Sequence, residues 1–217
     1  MLLNTHLEIN MGRNNRKRPD HWSQRAKDEG YAARSVFKLM EIDKRSQLFR
    51  KTKRILDLGC APGSWSEFAR KKRPNATIVG IDIQAIDKYP GKFIHQSIYD
   101  TPISQFQDAL GGLADLVICD MAPNTSGVRF TDHVRQVELA HVALGVATHT
   151  VRKGGGFVVK VFDGEDAHAF TMAVRKIFKR VRRIKPEATR NESVEFFLVA
   201  TEKREDPPKE ETAENPE

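Results

Sequence analysis

Residues 54–65, Arg-Ile-Leu-Asp-Leu-Gly-Cys-Ala-Pro-Gly-Ser-Trp, constrain the chain more than any other stretch. An apolar run that ends in Asp57, followed by Gly59, Gly63 and a helical pattern from Ser64, reads as a buried strand turning sharply into a helix. Gly59 can take a backbone conformation closed to other residues, and the missing side chains at Gly59 and Gly63 let a ligand approach the main chain closely. A plain tight connection would use the same residues, so the stretch points to a ligand-binding turn without naming the ligand.

The spacing narrows the choice. A dinucleotide fingerprint needs G-x-G-x-x-G, with a helix N-terminus aimed at a pyrophosphate. Here the middle glycine is absent, and the order D-x-G-x-x-x-G is the pattern of S-adenosylmethionine methyltransferases. That cofactor carries no phosphate, but it has an amino-acid end that backbone groups and a carboxylate can hold. Asp57, Gly59 and Gly63 are therefore candidate cofactor contacts. Asp82 closes the next apolar run, Thr77-Ile-Val-Gly-Ile-Asp82, about 20 residues past the turn, where an acid would accept hydrogen bonds from a ribose diol.

Strand and helix patterns alternate along the rest of the chain. Strands are expected over 54–60, 77–83, 93–98, 116–121, 156–162, 181–184 and 195–201. Helices are expected over 20–30 and 33–48, from Ser64, and over 103–110, 131–151 and 166–178. This predicts an α/β, Rossmann-like domain with a mostly parallel seven-stranded sheet and helices on both faces, its ligands at the carboxyl ends of the strands. The domain is expected over 20–203, flanked by a basic extension (1–19) and an acidic tail (204–217) without fixed structure.

At 217 residues the chain suits one well-buried domain, and no apolar run approaches the roughly 18 residues of a membrane span. The net charge of +7 points to an acidic partner, and it is unevenly placed. Residues 11–54 hold 14 Lys and Arg against five acids, whereas 201–217 hold seven acids against three bases. Arg13, Arg16, Lys17, Arg18, Arg25 and Lys27 thus form a candidate phosphate-contacting region. The two cysteines, Cys60 and Cys119, fall at strand ends and read as small core residues, and the scattered histidines give no metal-ligand spacing. The N-terminus lacks the apolar core of a signal peptide, and Glu8 and Asp20 argue against a mitochondrial address, so the expected compartment is the cytoplasm.

Three polar residues interrupt or end apolar strands. Asp120 follows Leu116-Val-Ile-Cys119 and opens a turn-rich loop; Lys160 lies inside Phe157-Val-Val-Lys-Val-Phe162; Glu195 opens Glu195-Phe-Phe-Leu-Val-Ala200. A loop cap, a strand-edge lysine and a surface acid are the plain alternatives. A buried lysine is costly without a partner or a function, which singles out Lys160. Lys38 falls off the apolar stripe of its helix, and by pattern alone it is a solvated lysine.

Together these segments resemble the FtsJ-type ribosomal RNA large-subunit methyltransferase E family. The likeness runs over about 20–203, through Arg34-Ser-Val-Phe-Lys-Leu, Asp57-Leu-Gly-Cys-Ala-Pro-Gly-Ser-Trp-Ser, Asp120-Met-Ala-Pro-Asn-Thr-Ser-Gly and Phe157-Val-Val-Lys-Val-Phe. It implies S-adenosylmethionine-dependent methylation of a uridine 2′-hydroxyl in 23S ribosomal RNA of the large subunit, by a monomer that needs no stable protein partner and no membrane. The implied catalytic set is Lys38, Asp120, Lys160 and Glu195, and the implied cofactor contacts include Gly63, Trp65, Asp82 and Asp120. Two positions depart from the family pattern. Ser64 replaces a glycine before the tryptophan, and Ser97 stands where an aspartate would meet the adenine amino group. Either the Ser97 hydroxyl takes that bond or Asp100 approaches from further along.

Methyl transfer is an in-line displacement in which the enzyme aligns the atoms and removes a weakly acidic proton. The resemblance makes Lys160 the general base and Asp120 its orienting partner, with Lys38 and Glu195 positioning the ribose. An ordinary lysine, near ~10.4, is protonated at neutral pH. Burial, Lys38 and a sulfonium would favour the neutral form, whereas Asp120 and Glu195 would oppose it.

Overall fold

The computed structural model describes residues 21–123, 127–190 and 193–205. The basic extension, with Arg13, Arg16, Lys17 and Arg18, and the acidic tail from residue 206 lie outside the described residues.

Seven strands form one sheet: β1 (Arg54–Leu58), β2 (Thr77–Asp82), β3 (Lys92–His95), β4 (Ala114–Cys119), β5 (Val151–Phe162), β6 (Phe178–Ile184) and β7 (Glu195–Lys203), in the order β3-β2-β1-β4-β5-β7-β6. Six helices cover it: α1 (His21–Asp28), α2 (Val36–Ser46), α3 (Ser64–Lys72), α4 (Ile103–Leu110), α5 (Arg129–Thr150) and α6 (Asp166–Ile177). This is the α/β architecture that the alternation predicts, with a sheet that is mixed. Strands β3, β2, β1, β4 and β5 run parallel, and β7 runs antiparallel to both neighbours. A parallel return needs a crossover of roughly a dozen residues or more, usually a helix. The 185–194 connection is too short for one, so β7 turns straight back and inserts between β5 and β6.

Successive side chains of each strand enter opposite layers. On one face Leu56, Leu58, Val117, Val159 and Val161 pack with Phe106 of α4, Ala143 of α5 and Phe170 of α6. On the other, Ile55, Ile118, Val158 and Phe197 pack with Ala26 of α1, Leu39 of α2 and Phe68 of α3. Phe106, Phe157, Phe170 and Phe197 are fully buried, and each such side chain stabilises the fold by about 1.5–3 kcal/mol. The parity matters for the site. Asp57, Asp120 and Lys160 follow Ile55, Ile118 and Val158 by two residues, so all three belong to the face covered by α1, α2 and α3. Strand β5 begins at Val151, ahead of the expected start at Gly156, because its first residues pair with β4 across a register shift between Ala114 and Leu116.

Candidate active site

The β1–α3 turn is fastened before any ligand is considered. The backbone N–H groups of Gly59 and Cys60 donate to the Ile81 carbonyl at 2.9 and 3.2 Å, tying the turn to the end of β2. Gly59 has φ +72° and Gly63 φ +108°, both in the left-handed region that disfavours side chains. At Gly59 an added Cβ would also drive into the Met121 side chain, whereas at Gly63 it would meet nothing nearer than Tyr89 at 4.0 Å. Gly59 therefore keeps the β1 and β4 ends close together, and Gly63 supplies the bend that starts α3.

Strand order reverses between β1 and β4, and a crevice opens at the carboxyl ends there, as open α/β sheets require. It holds a cavity of about 370 Å³ whose walls include Gly59, Asp82, Ser97, Tyr99, Asp120 and Met121. That is a volume suited to a cofactor-sized ligand. The Asp82 carboxylate is preset, since its two oxygens accept from the main-chain N–H groups of Ala61 and Gln84, each at 2.9 Å. Ser97 lies in the wall, where its hydroxyl accepts from the Tyr99 N–H at 3.2 Å. Asp100 is exposed and is not among the lining residues.

Three sequence candidates lie behind this cavity instead of in its wall. Gly63 is at the α3 N-terminus. Trp65 is buried, its indole N–H donating to the Ser35 carbonyl at 2.9 Å and its ring 5.7 Å from that of Phe197, so it fastens α3 to α2 and the sheet. Asp57 is 1% exposed and accepts a 2.6 Å hydrogen bond from Ser66. Burial pushes its carboxyl up to about 7; the Ser66 bond opposes this, and the charges of Asp120 and Asp82 reinforce it. The same burial pushes the Cys119 thiol up to about 12, and both cysteines are buried free thiols.

The four implied catalytic residues form two lysine–carboxylate pairs. Lys160, 6% exposed, places its ammonium 3.0 Å from Oδ1 of Asp120, but its well-aligned hydrogen bond goes to the Asp120 carbonyl at 2.6 Å. Lys38 of α2 is bonded to Glu195 of β7 across 157 positions of sequence. The pairs share a face. Lys160 stands opposite Phe197 in the β5–β7 ladder, and Glu195 follows the same parity two residues away. Lys38, Glu195, Arg34, Arg190, Ser35 and Ser193 border a second cavity, about 530 Å³ in volume.

Sequence reasoning missed Gln136. Pairing of β5 with β4 ends at Val159, opposite Cys119, which leaves the next outward groups of β5 without a strand partner. The buried Gln136 amide of α5 replaces one, donating to the Lys160 carbonyl at 2.7 Å and accepting from the Phe162 N–H at 2.9 Å. The backbone that carries Lys160 is thereby held on both sides. A glutamine inside a helical pattern carries no signal of this task.

With this geometry in view, comparison with known proteins is informative. The FtsJ-like methyltransferase model matches residues 31–203. The chain belongs to the FtsJ-like methyltransferase family. It is 44% identical to the ribosomal RNA large subunit methyltransferase E of Zymomonas mobilis over 183 residues, covering 83% of each chain. It is also 44% identical to the protein of that name in Nitratidesulfovibrio vulgaris, over 83% of this chain and 92% of the relative. Among solved structures, a ribosomal RNA methyltransferase from Plasmodium falciparum superposes with a TM-score of 0.70 at 26% identity, covering 80% of this chain and 98% of the other. The family of the chain is that of a methyltransferase, so the cavity at the β1–β4 crevice and the paired lysines beside it are the parts to assign.

Proposed function

We propose that the chain uses S-adenosylmethionine to methylate the 2′-hydroxyl of a uridine in the 23S RNA of the large ribosomal subunit, in the cytoplasm and as a monomer. The observation that carries this reading is the placement of the buried Lys160 against Asp120, a residue of the cofactor-sized cavity, on the same sheet face as the Lys38–Glu195 pair of the second cavity. The names of the relatives support the substrate class.

The residues fit the cofactor. Asp82 lies where a ribose diol can donate to its fixed carboxylate, and Ser97, better placed than Asp100, faces the same space for the adenine edge. Asp57, Asp82 and Asp120 gather acidic groups at this crevice, so the region favours a ligand of net positive charge. S-adenosylmethionine, when bound, supplies a methyl group on a cationic sulfonium. Lys160 takes the proton of the attacking 2′-hydroxyl, and Asp120 orients it through both its carboxylate and its carbonyl. Lys38 and Glu195 hold the acceptor ribose, while Arg34 and Arg190 give the second cavity the charge that an RNA backbone needs.

Mapping 2′-O-methyl groups on RNA from cells lacking the gene tests the assignment. The expected result is loss of a single uridine modification in 23S RNA, restored by the wild-type chain. Loss from transfer RNA or from messenger RNA caps, with 23S RNA unchanged, would overturn it.

A further inference from the structure

The strongest concentration of charge outside the site lies on the edge of the sheet. Between Arg175 and Lys185 the chain carries seven Lys and Arg and no acid. These residues span the last turn of α6 and the whole of β6, the outermost strand. Not all of this charge is available. Arg183 pairs with Asp163 through two hydrogen bonds, of 2.5 and 3.2 Å, lies 3.7 Å from the centre of the Phe196 ring and holds the Asp163 carboxyl below its ordinary range. Arg180 pairs with Glu202 at 3.0 Å. Lys176, Lys179 and Arg182 are exposed and, among the described residues, have no carboxylate within ion-pair distance.

The register ties one of these cations, Arg182, to the face of the site. In the β6–β7 ladder Ile184 stands opposite Phe197, and Phe197 stands opposite Lys160 in the β5–β7 ladder. Arg182 shares the parity of Ile184 and is opposite Val199, so it belongs to the face that carries Lys160, Glu195 and the second cavity. Two strand spacings, roughly 10 Å, separate β6 from β5. Beyond Ile184 the same segment continues through the exposed Lys185 to Arg190, which borders the second cavity beside Arg34 and Lys38. Lys179 has the opposite parity, that of Val181, and Lys176 lies on α6, so these two sit towards the other face and the basic run wraps around the outer edge of the sheet, with Arg182 on the side of the candidate acceptor site.

Edge strands often carry lysine to prevent pairing with another sheet, and one or two charges suffice for that. A run of this density, continuing from the end of α6 around the sheet edge to the face of the second cavity, calls for a polyanion. We propose that β6 and the last turn of α6 are a second RNA-binding surface, in which Lys176, Lys179 and Arg182 contact phosphates of the RNA that flanks the acceptor nucleotide. The proposal rests on the ribosomal RNA reading of the site.

The test uses the full chain, Lys176→Gln/Lys179→Gln/Arg182→Gln as the neutral variant, and Lys179→Glu/Arg182→Glu as a charge reversal. Binding to a large-subunit RNA fragment is measured across a salt series, with S-adenosylmethionine affinity and thermal melting as readouts of the site and the fold. The log–log salt slope is expected to fall by about one for each contact removed, with S-adenosylmethionine affinity unchanged. The charge reversal should weaken binding further at low salt. An unchanged slope in the well-folded neutral variant overturns the proposal, and so does aggregation of the variants with unaltered RNA binding, which would leave the cations as edge protection. If the wild-type chain itself binds no large-subunit RNA, the proposal falls together with the functional reading. If the wild type binds and both variants match it, the edge surface alone is wrong.

Discussion

The two cavities beside β5 have opposite electrostatic characters. The one at the β1–β4 crevice is lined by Asp82 and Asp120, with the buried Asp57 behind it, and among the described residues its other polar neighbours are uncharged groups such as Ser97 and Gln96. The other is bordered, among the described residues, by Arg34, Lys38 and Arg190 and by the acid Glu195, which is bonded to Lys38. One suits a compact cation and the other a polyanion. Asp120 and Lys160 form the seam between them, a neutralised pair on the middle of the sheet. On the proposed assignment, the difference gives each charged ligand a cavity of the opposite sign.

The largest expected effect comes from breaking the seam. Lys160→Ala should slow methyl transfer by about 10²–10⁴-fold while S-adenosylmethionine and RNA still bind, because proton removal is needed only in the transition state. Lys160→Arg puts a permanent cation there that cannot act as a base at usable pH, so it should be as slow. Single-turnover rates alongside binding isotherms decide the matter. Substantial activity in Lys160→Arg would reduce Lys160 to an electrostatic role and turn attention to Asp120.

Much of this division can be read from the sequence, but unevenly. The acidic cavity is announced by local order: Gly59, Asp82 and Asp120 each sit at the end of an apolar run, and parallel strands bring such ends together. The basic cavity is not. Lys38 is a solvated lysine by pattern and Glu195 stands out only as an acid opening a strand, and they meet only because β7 reverses direction and inserts beside β5. Strand order leaves no trace in hydrophobic periodicity. Trp65 shows a different gap, since the motif places it near a cofactor but says nothing of the Ser35 carbonyl that draws its indole into the α2–α3 core. The charge count over 11–54 likewise drew attention to the N-terminal region and away from β6, where the segment is short but wholly basic.

A smaller effect is expected within the basic cavity. Lys38→Ala removes a cation from the acceptor side and leaves Glu195, largely buried, without its partner. Transfer should slow by about 10–100-fold, roughly 1–3 kcal/mol, with little change in S-adenosylmethionine affinity, because no part of the pair borders the acidic cavity. A double-mutant cycle with Glu195→Ala should give a coupling of about 1–3 kcal/mol if the two act as a unit. Additive effects would mean that Lys38 and Glu195 serve separate purposes and that the two cavities are less distinct than their charges suggest.

The smallest effect tests the acidic side through stability. The Asp57 carboxyl, ordinarily near 3.8, is raised to about 7 in the folded chain, chiefly by burial. A group whose folded value is raised contributes stability that is complete below its unfolded value and is lost as pH rises through the folded one. Folding should therefore weaken between pH 6 and pH 8 by about 1 kcal/mol from this group alone, because over that range only the folded state releases the proton. Asp57→Asn keeps an acceptor for the Ser66 hydroxyl and cannot ionise, so its urea-unfolding free energy should lack that portion of the decline. The difference between the two chains, measured at both pH values, isolates the group from other titrations. A bound cation should favour the ionised form, so affinity for S-adenosylmethionine should rise with pH over the same window in the wild type and stay flat in Asp57→Asn. Parallel stability curves for the two chains would make Asp57 an ordinary carboxylate and show that its burial does not hold the proton in the folded chain.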